Sequence, residues 1–280
     1  MTRILLIFFF WLIFQSGSFA QKGEKGFLPE GSTYMVIMEP SQTAKTTQLV
    51  FSNNYKFPFL LTDGKMVLLS NDEVEEPIAF ALPKEIKDCA DVFILDSLLI
   101  CKMRANIKSF NGESTEDMLI MPDKQYNIFP ANNGFFYLVR RGKDSSTVYL
   151  VETATGEFLK LFDTPFLIDN IAGTGPTSYV TSNEMIYYVS EEICTLVEVS
   201  DSKVKSIDFF SEGVFYSTEK ACYYMGLPGK SFPFLFGEVK QLMLVDNRLY
   251  LLFKNGLLSV IDNANQYQTF MESIVNEVNM

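Results

Sequence analysis

Leu249-Tyr-Leu-Leu-Phe253, Lys254-Asn255-Gly256, Leu257-Leu-Ser-Val-Ile261 reads as a strand, a turn and a second strand in one short phrase. Two apolar runs rich in β-forming residues flank an Asn-Gly pair. Both residues tolerate positive φ, so the pair is expected to form a type I′ hairpin turn. Looser copies of the phrase lead with Lys65–Leu69, Leu98–Lys102, Phe135–Val139, Met185–Val189 and Ala221–Met225. Asp63-Gly64 and Asn133-Gly134 supply turn pairs ahead of two of them. Matched at Met66, Leu98, Phe135, Ile186, Cys222 and Leu249, the copies recur every ~27 to 51 residues. Their mean of about 37 lies close to the ~40 of a four-stranded propeller blade. A repeat of this kind cannot bury its own face and must stack on neighbours. The expected fold is all-β, a β-propeller of about six four-stranded blades, with seven blades or a β-sandwich as alternatives.

The ends of the chain complete this organisation. Residues 1–20 read as a leader, 21–32 as a flexible entry segment, 33–273 as the propeller and 274–280 as a tail. Thr33–Met38 and Thr46–Phe51 read as a first hairpin around Glu39-Pro40-Ser41. The stretch 33–51 is also expected to pair with the C-terminal repeat, because an unclosed ring exposes a strand edge to aggregation. Gln268–Met271 reads as the closing strand of the sixth copy, and Met271–Met280 as a last helical turn or an unstructured tail.

Val148-Tyr-Leu-Val-Glu-Thr-Ala-Thr-Gly-Glu-Phe-Leu-Lys-Leu161 resembles the blade phrase of bacterial quinoprotein-like propellers, a strand ending in a polar Thr-Gly turn before the next strand. Leu258-Ser-Val-Ile-Asp-Asn263 is a partial second instance. The tryptophan that closes the phrase in that family is absent from both. The resemblance therefore implies an architecture and no cofactor.

The leader has a basic start at Arg3, an apolar run from Ile4 to Phe14, and small residues at Ser18 and Ala20. The run is ~11 residues, too short to span a bilayer. Cleavage after Ala20 would leave Gln21 first; the alternative is an N-terminal membrane anchor. No later stretch is apolar for long enough to span, so no transmembrane segment is expected after leader removal. The location implied is the periplasm or the exterior of a bacterium. The sequence also lacks any Asn-x-Ser/Thr acceptor for glycosylation.

Composition excludes several functions. The full chain has a net charge of −11, and loss of Arg3 with the leader makes it −12, which disfavours a nucleic-acid partner. Histidine is absent and the single tryptophan, Trp11, lies in the leader. Triads built on histidine are thereby removed, together with the commonest metal ligand. No calcium loop, phosphate-cradling glycine loop or Cys-x-x-Cys pair occurs. Neither a cofactor nor a metal is expected.

The remaining candidates are local. Cys89, Cys101, Cys194 and Cys222 permit two disulfides. Cys89 and Cys101 face each other across a hairpin turning near Leu95-Asp96, while Cys194 and Cys222 lie about one repeat apart. The bland alternative is four buried thiols. The acidic run Asn71–Glu76 offers paired carboxylates for glycoside chemistry, though such runs are usually solvated loops. Arg140 and Arg141 form a basic island at a hairpin tip, able to meet an acidic partner. Tyr188 and Tyr224, each one of a Tyr-Tyr pair on a strand, are the aromatic surface candidates. The reading that results is an exported, non-enzymatic propeller binding an unknown protein or small ligand. A carboxylate-dependent carbohydrate enzyme and a structural subunit of an envelope assembly are the alternatives.

Overall fold

The computed structural model describes residues 27–38, 47–53, 56–62, 65–69, 79–81, 89, 91–103, 106–111, 114–120, 125–131, 134–210, 213–227 and 230–278. The expected leader (residues 1–20), Asp63-Gly64 and the acidic run Asn71–Glu76 lie outside these residues.

The chain forms six four-stranded antiparallel sheets, the blades of a β-propeller. The first blade holds β2 (Gln48–Val50), β3 (Phe59–Thr62), β4 (Lys65–Leu68) and β5 (Ala79–Ala81). The second holds β6 (Val92–Leu95), β7 (Leu98–Lys102), β8 (Asn106–Phe110) and β9 (Thr115–Ile120). The third is β10 (Tyr126–Pro130), β11 (Phe135–Arg141), β12 (Ser146–Glu152) and β13 (Phe158–Thr164). The fourth is β14 (Asn170–Gly173), β15 (Ser178–Ser182), β16 (Met185–Val189) and β17 (Cys194–Val199). The fifth is β18 (Ser206–Phe210), β19 (Gly213–Ser217), β20 (Ala221–Leu227) and β21 (Lys230–Phe236). The sixth joins β22 (Val239–Val245), β23 (Arg248–Phe253) and β24 (Leu258–Asp262) to β1 (Thr33–Met38), in the order β1-β24-β23-β22.

The ring is thus closed by the N-terminal strand. Thr33 pairs with Asp262 and Val36 with Ser259, antiparallel. The expected hairpin of 33–38 with 46–51 does not form, since β1 ends the last blade and β2 begins the first. Closure by 33–51 holds for its first half only. The sixth copy's expected last strand, Gln268–Met271, is helical instead, part of α1 (Gln266–Val278). That helix crosses the expected boundary at 273 and begins earlier than Met271. With β1 in the fourth place of the blade, the chain after β24 is free to coil and cover blades five and six. Tyr267 and Met271, one helical turn apart, join the buried cluster with Phe234, Leu249 and Phe253.

Burial peaks at the second strand of a blade and falls at the outer edge, while the channel-lining β10 and β18 stay half-exposed. All four residues of β6 and all five of β19 are buried, as is most of β23. Such strands are covered on both faces by neighbouring blades, so they read as continuous apolar runs rather than alternating ones. Outer strands behave otherwise: β13 begins with three exposed residues and so does β17.

The turn used to find the repeat differs from expectation. Of Asn255 and Gly256 only Gly256 has positive φ, +85°. Its N–H donates to Phe253 O at 3.0 Å, and Asn255 Oδ1 accepts from Leu257 N at 3.0 Å. This is a type I turn closed by a left-handed glycine, not type I′. Adjacent positive φ values, the mark of type I′, occur at Asp96-Ser97 (49° and 68°) and Asp246-Asn247 (48° and 63°).

Candidate functional site: the central channel

The first strand of every blade faces the axis, and together these strands line a cavity of about 410 Å³. They run in one direction. Ser52 and Ile94 form a parallel bridge between the first and second blades. Ser206 meets Leu242 and Asp208 meets Leu244, the constant offset of a parallel pair. Strand starts therefore gather at one mouth, with Gln48, Asp91, Asn170 and Lys240, and strand ends at the other, with Phe51, Phe129, Phe209 and Leu244.

The inner strands diverge too far for continuous ladders, and side chains supply the missing ties. Gln241 uses both ends of its amide on one residue of the first blade: Oε1 accepts from Leu49 N and Nε2 donates to Leu49 O, each at 2.8 Å. Ser206 does the same to Leu242 across the fifth and sixth blades, accepting at 3.2 Å and donating at 3.3 Å. Two positions on, Asp208 Oδ2 accepts from Leu244 N at 2.7 Å while Oδ1 accepts from Phe209 N at 2.7 Å. Asp208 keeps some exposure through the channel, but its carboxylate sits deep in the seam. Loss of solvent pushes its pKa up to about 6 against the pull of these two N–H groups.

The other ionisable groups of the lining are also engaged. Lys240 Nζ donates to Thr47 O at 2.6 Å, and burial holds its pKa below the ordinary lysine value. Lys205 pairs with Glu219 at 2.6 Å. Asp91 lies 3.8 Å from Lys102, and burial raises its carboxyl pKa despite that neighbour. All four charges of the lining thus face protein partners.

The residues singled out from sequence fall elsewhere. Cys89 and Cys101 are joined, with Cα atoms 5.9 Å apart, just beyond the Val92–Cys101 pair of the β6–β7 hairpin. Cys194 and Cys222 are free, so the second bridge that the cysteine count permits does not form. Cys194 is exposed on outer β17, while Cys222 is buried on β20 among Phe234 and Tyr267. The Cys194 thiol pKa is raised, not lowered, by partial burial, unlike an activated nucleophile. Arg140 is exposed at the end of β11, and Arg141 is bound to Asp169 at 3.3 Å, so the basic island is partly consumed by the seam to the fourth blade. Tyr188 is half-buried against Tyr179, ring centroids 5.4 Å apart. Tyr224 corrects its surface reading: it is fully buried, between Phe215 at 4.8 Å and Tyr267 at 5.9 Å. The two members of a Tyr-Tyr pair do face opposite ways, but neighbouring blades and α1 cover both faces there.

Sequence reasoning missed the channel set altogether. Gln241, Ser206 and Asp208 lie in unremarkable strands, and their only signal is polarity at the first strand of a blade. Among the described residues no group of three or more Cys, Asp or Glu is arranged to hold a metal ion.

No protein-family model matches the sequence, and no curated protein matches it. Solved structures do. A candidate gluconolactonase superposes with a TM-score of 0.61 at 9% identity, covering 85% of this chain and 94% of that one. The calcium-binding protein regucalcin from Agrobacterium tumefaciens gives 0.57 at 11% identity, over 87% and 95%. Virginiamycin B lyase from Staphylococcus aureus gives 0.51 at 10%, over 82% and 99%. At such identities the likeness is one of fold, which hosts many unrelated functions.

Proposed function

We propose that this chain is an exported propeller that binds a partner or small ligand at its central channel and performs no chemistry on it. One observation carries this reading: Asp91, Lys205, Asp208 and Lys240, the ionisable groups of the lining, are each held by protein partners. A group already bound to a protein partner is poorly placed to exchange protons with a substrate. The cavity's volume of about 410 Å³ falls among ordinary ligand sites, roughly 300–1,000 Å³. Export to the periplasm or beyond is supported by the leader's basic start, short apolar run and small residues. Among the described residues no helix is long and apolar enough to cross a membrane.

The test is a thermal-shift screen of small molecules on the mature chain, with each hit recovered and weighed by mass spectrometry. Hits should raise the melting temperature, lose their effect in Gln48→Trp, whose added ring narrows the mouth, and return unchanged. A converted product whose formation stops with Asp91→Asn contradicts the non-catalytic reading.

A further inference from the structure

We infer that the channel takes a neutral, elongated ligand with an aromatic or apolar end and a hydrogen-bonding end; this rests on the channel being the binding site. The two mouths differ in chemistry. Where the strands end, the half-buried rings of Phe51, Phe129 and Phe209 stand with Leu244 around the opening. Where they begin, the amides of Gln48 and Asn170 line the wall. Asn170 Nδ2 donates to Thr181 Oγ1 at 3.1 Å, which leaves its Oδ1 to accept from a ligand. Gln48 offers both a donor and an acceptor.

Charge on the ligand is disfavoured. The four charged lining residues answer to Thr47 O, Glu219, Lys102 and the N–H groups of Leu244 and Phe209. An ionic ligand would compete with these partners for charges already matched, in a partly apolar passage, and that is costly. A neutral molecule disturbs none of them. Length follows from the strands: Gln48 to Phe51 spans ~10 Å at about 3.3 Å per residue, the reach of two fused rings with a short polar arm.

The probe is N-phenyl-1-naphthylamine, neutral and fluorescent in apolar surroundings, titrated into the mature chain. Saturable binding of one probe per chain is expected. Competitors then read the charge rule: 2-naphthalenemethanol should displace the probe at least about tenfold more effectively than 2-naphthoate or 2-naphthylmethylammonium. Phe129→Ser should weaken the probe by about tenfold. Gln48→Leu should leave the probe bound and weaken only the alcohol, by about fivefold. Circular dichroism and melting curves show that each variant is folded. Gln48→Leu, at the mouth, keeps the test open if Phe129→Ser destabilises the third blade. Equal displacement by the charged competitors, a probe signal indifferent to a folded Phe129→Ser, or an alcohol unaffected by Gln48→Leu overturns the inference. If a charged library compound binds and is blocked by Gln48→Trp while the naphthyl series fails, this inference falls and channel binding survives. If neither set binds, both fall.

Discussion

Asp208 gives the seam between the fifth and sixth blades a pH signature. Its folded-state pKa of about 6 lies above the ordinary aspartate value of 3.8. The folded protein therefore holds this proton more tightly than the unfolded chain. The resulting stabilisation is fully present below the unfolded value and disappears as pH rises through about 6. Its size is about 1 to 3 kcal/mol, discounted for solvent in the channel. Asp208→Asn keeps an acceptor for Leu244 N and removes the titration. The melting temperature of the variant relative to wild type should climb between pH 4.5 and 7; a constant difference would show that Asp208 is not the group responsible. Gly256 tests the backbone in the same way. At φ +85° a β-branched residue is strained, so Gly256→Val should cost about 1 to 3 kcal/mol in denaturant unfolding. The Asn-Gly pair announced a tight turn in the sequence, but not which kind. Turn type depends on how the flanking strands are offset, and here Phe253 N reaches across to Leu257 O at 2.8 Å.

Among the elements, β1 and α1 work as one clasp. β1 is hydrogen-bonded to β24, and the segment before it is pinned by the helix: Tyr267 Oη donates to Phe27 O at 3.2 Å, and Phe27 lies 4.2 Å from the Phe270 ring. Asn263 Nδ2 adds a bond to Gly31 O at 2.9 Å. Tyr267 is fully buried among Phe215, Phe232 and Phe234. Tyr267→Ala should cost about 3 to 5 kcal/mol, as for other large core truncations. Deleting residues 21–38 should expose the β24 edge and yield oligomers on size exclusion. An unchanged, monomeric truncation would mean that the ring does not depend on β1. The strands of the ring were legible because the second strands of the blades are mostly buried on both faces and read as apolar runs. Their phase was less so. Met66, Ile186 and Cys222 lie on third strands, while Leu98, Phe135 and Leu249 lie on second strands, which is why the spacing looked uneven. Measured between second strands, from Phe59, Leu98, Phe135, Ser178, Gly213 and Arg248, the steps narrow to between about 35 and 43 residues. The helix was hidden because Thr-Phe-Met, a short apolar run, fits a strand and a helix equally.

At the scale of the whole molecule, export and binding are linked proposals. Protein expressed with its own leader should appear in mass spectrometry without residues 1–20, beginning at Gln21. An intact Met1 in a membrane fraction would replace export with anchoring. The channel was not legible in the sequence for a physical reason. It is assembled from one strand of each of six blades, so its residues are scattered from Gln48 to Leu244. No local spacing marks them, and the ties they make join residues as far apart as Leu49 and Gln241. Histidine's absence was legible at once and narrowed the chemistry, whereas the engagement of each lining charge needed coordinates. Binding at the channel is the central proposal. The most direct measurement is fluorescence titration of N-phenyl-1-naphthylamine into the wild-type mature chain and into Gln48→Trp, both shown to be folded. One saturable site in the wild type and its loss in the variant are expected; equal binding by the two would place the probe outside the channel and rule out channel binding.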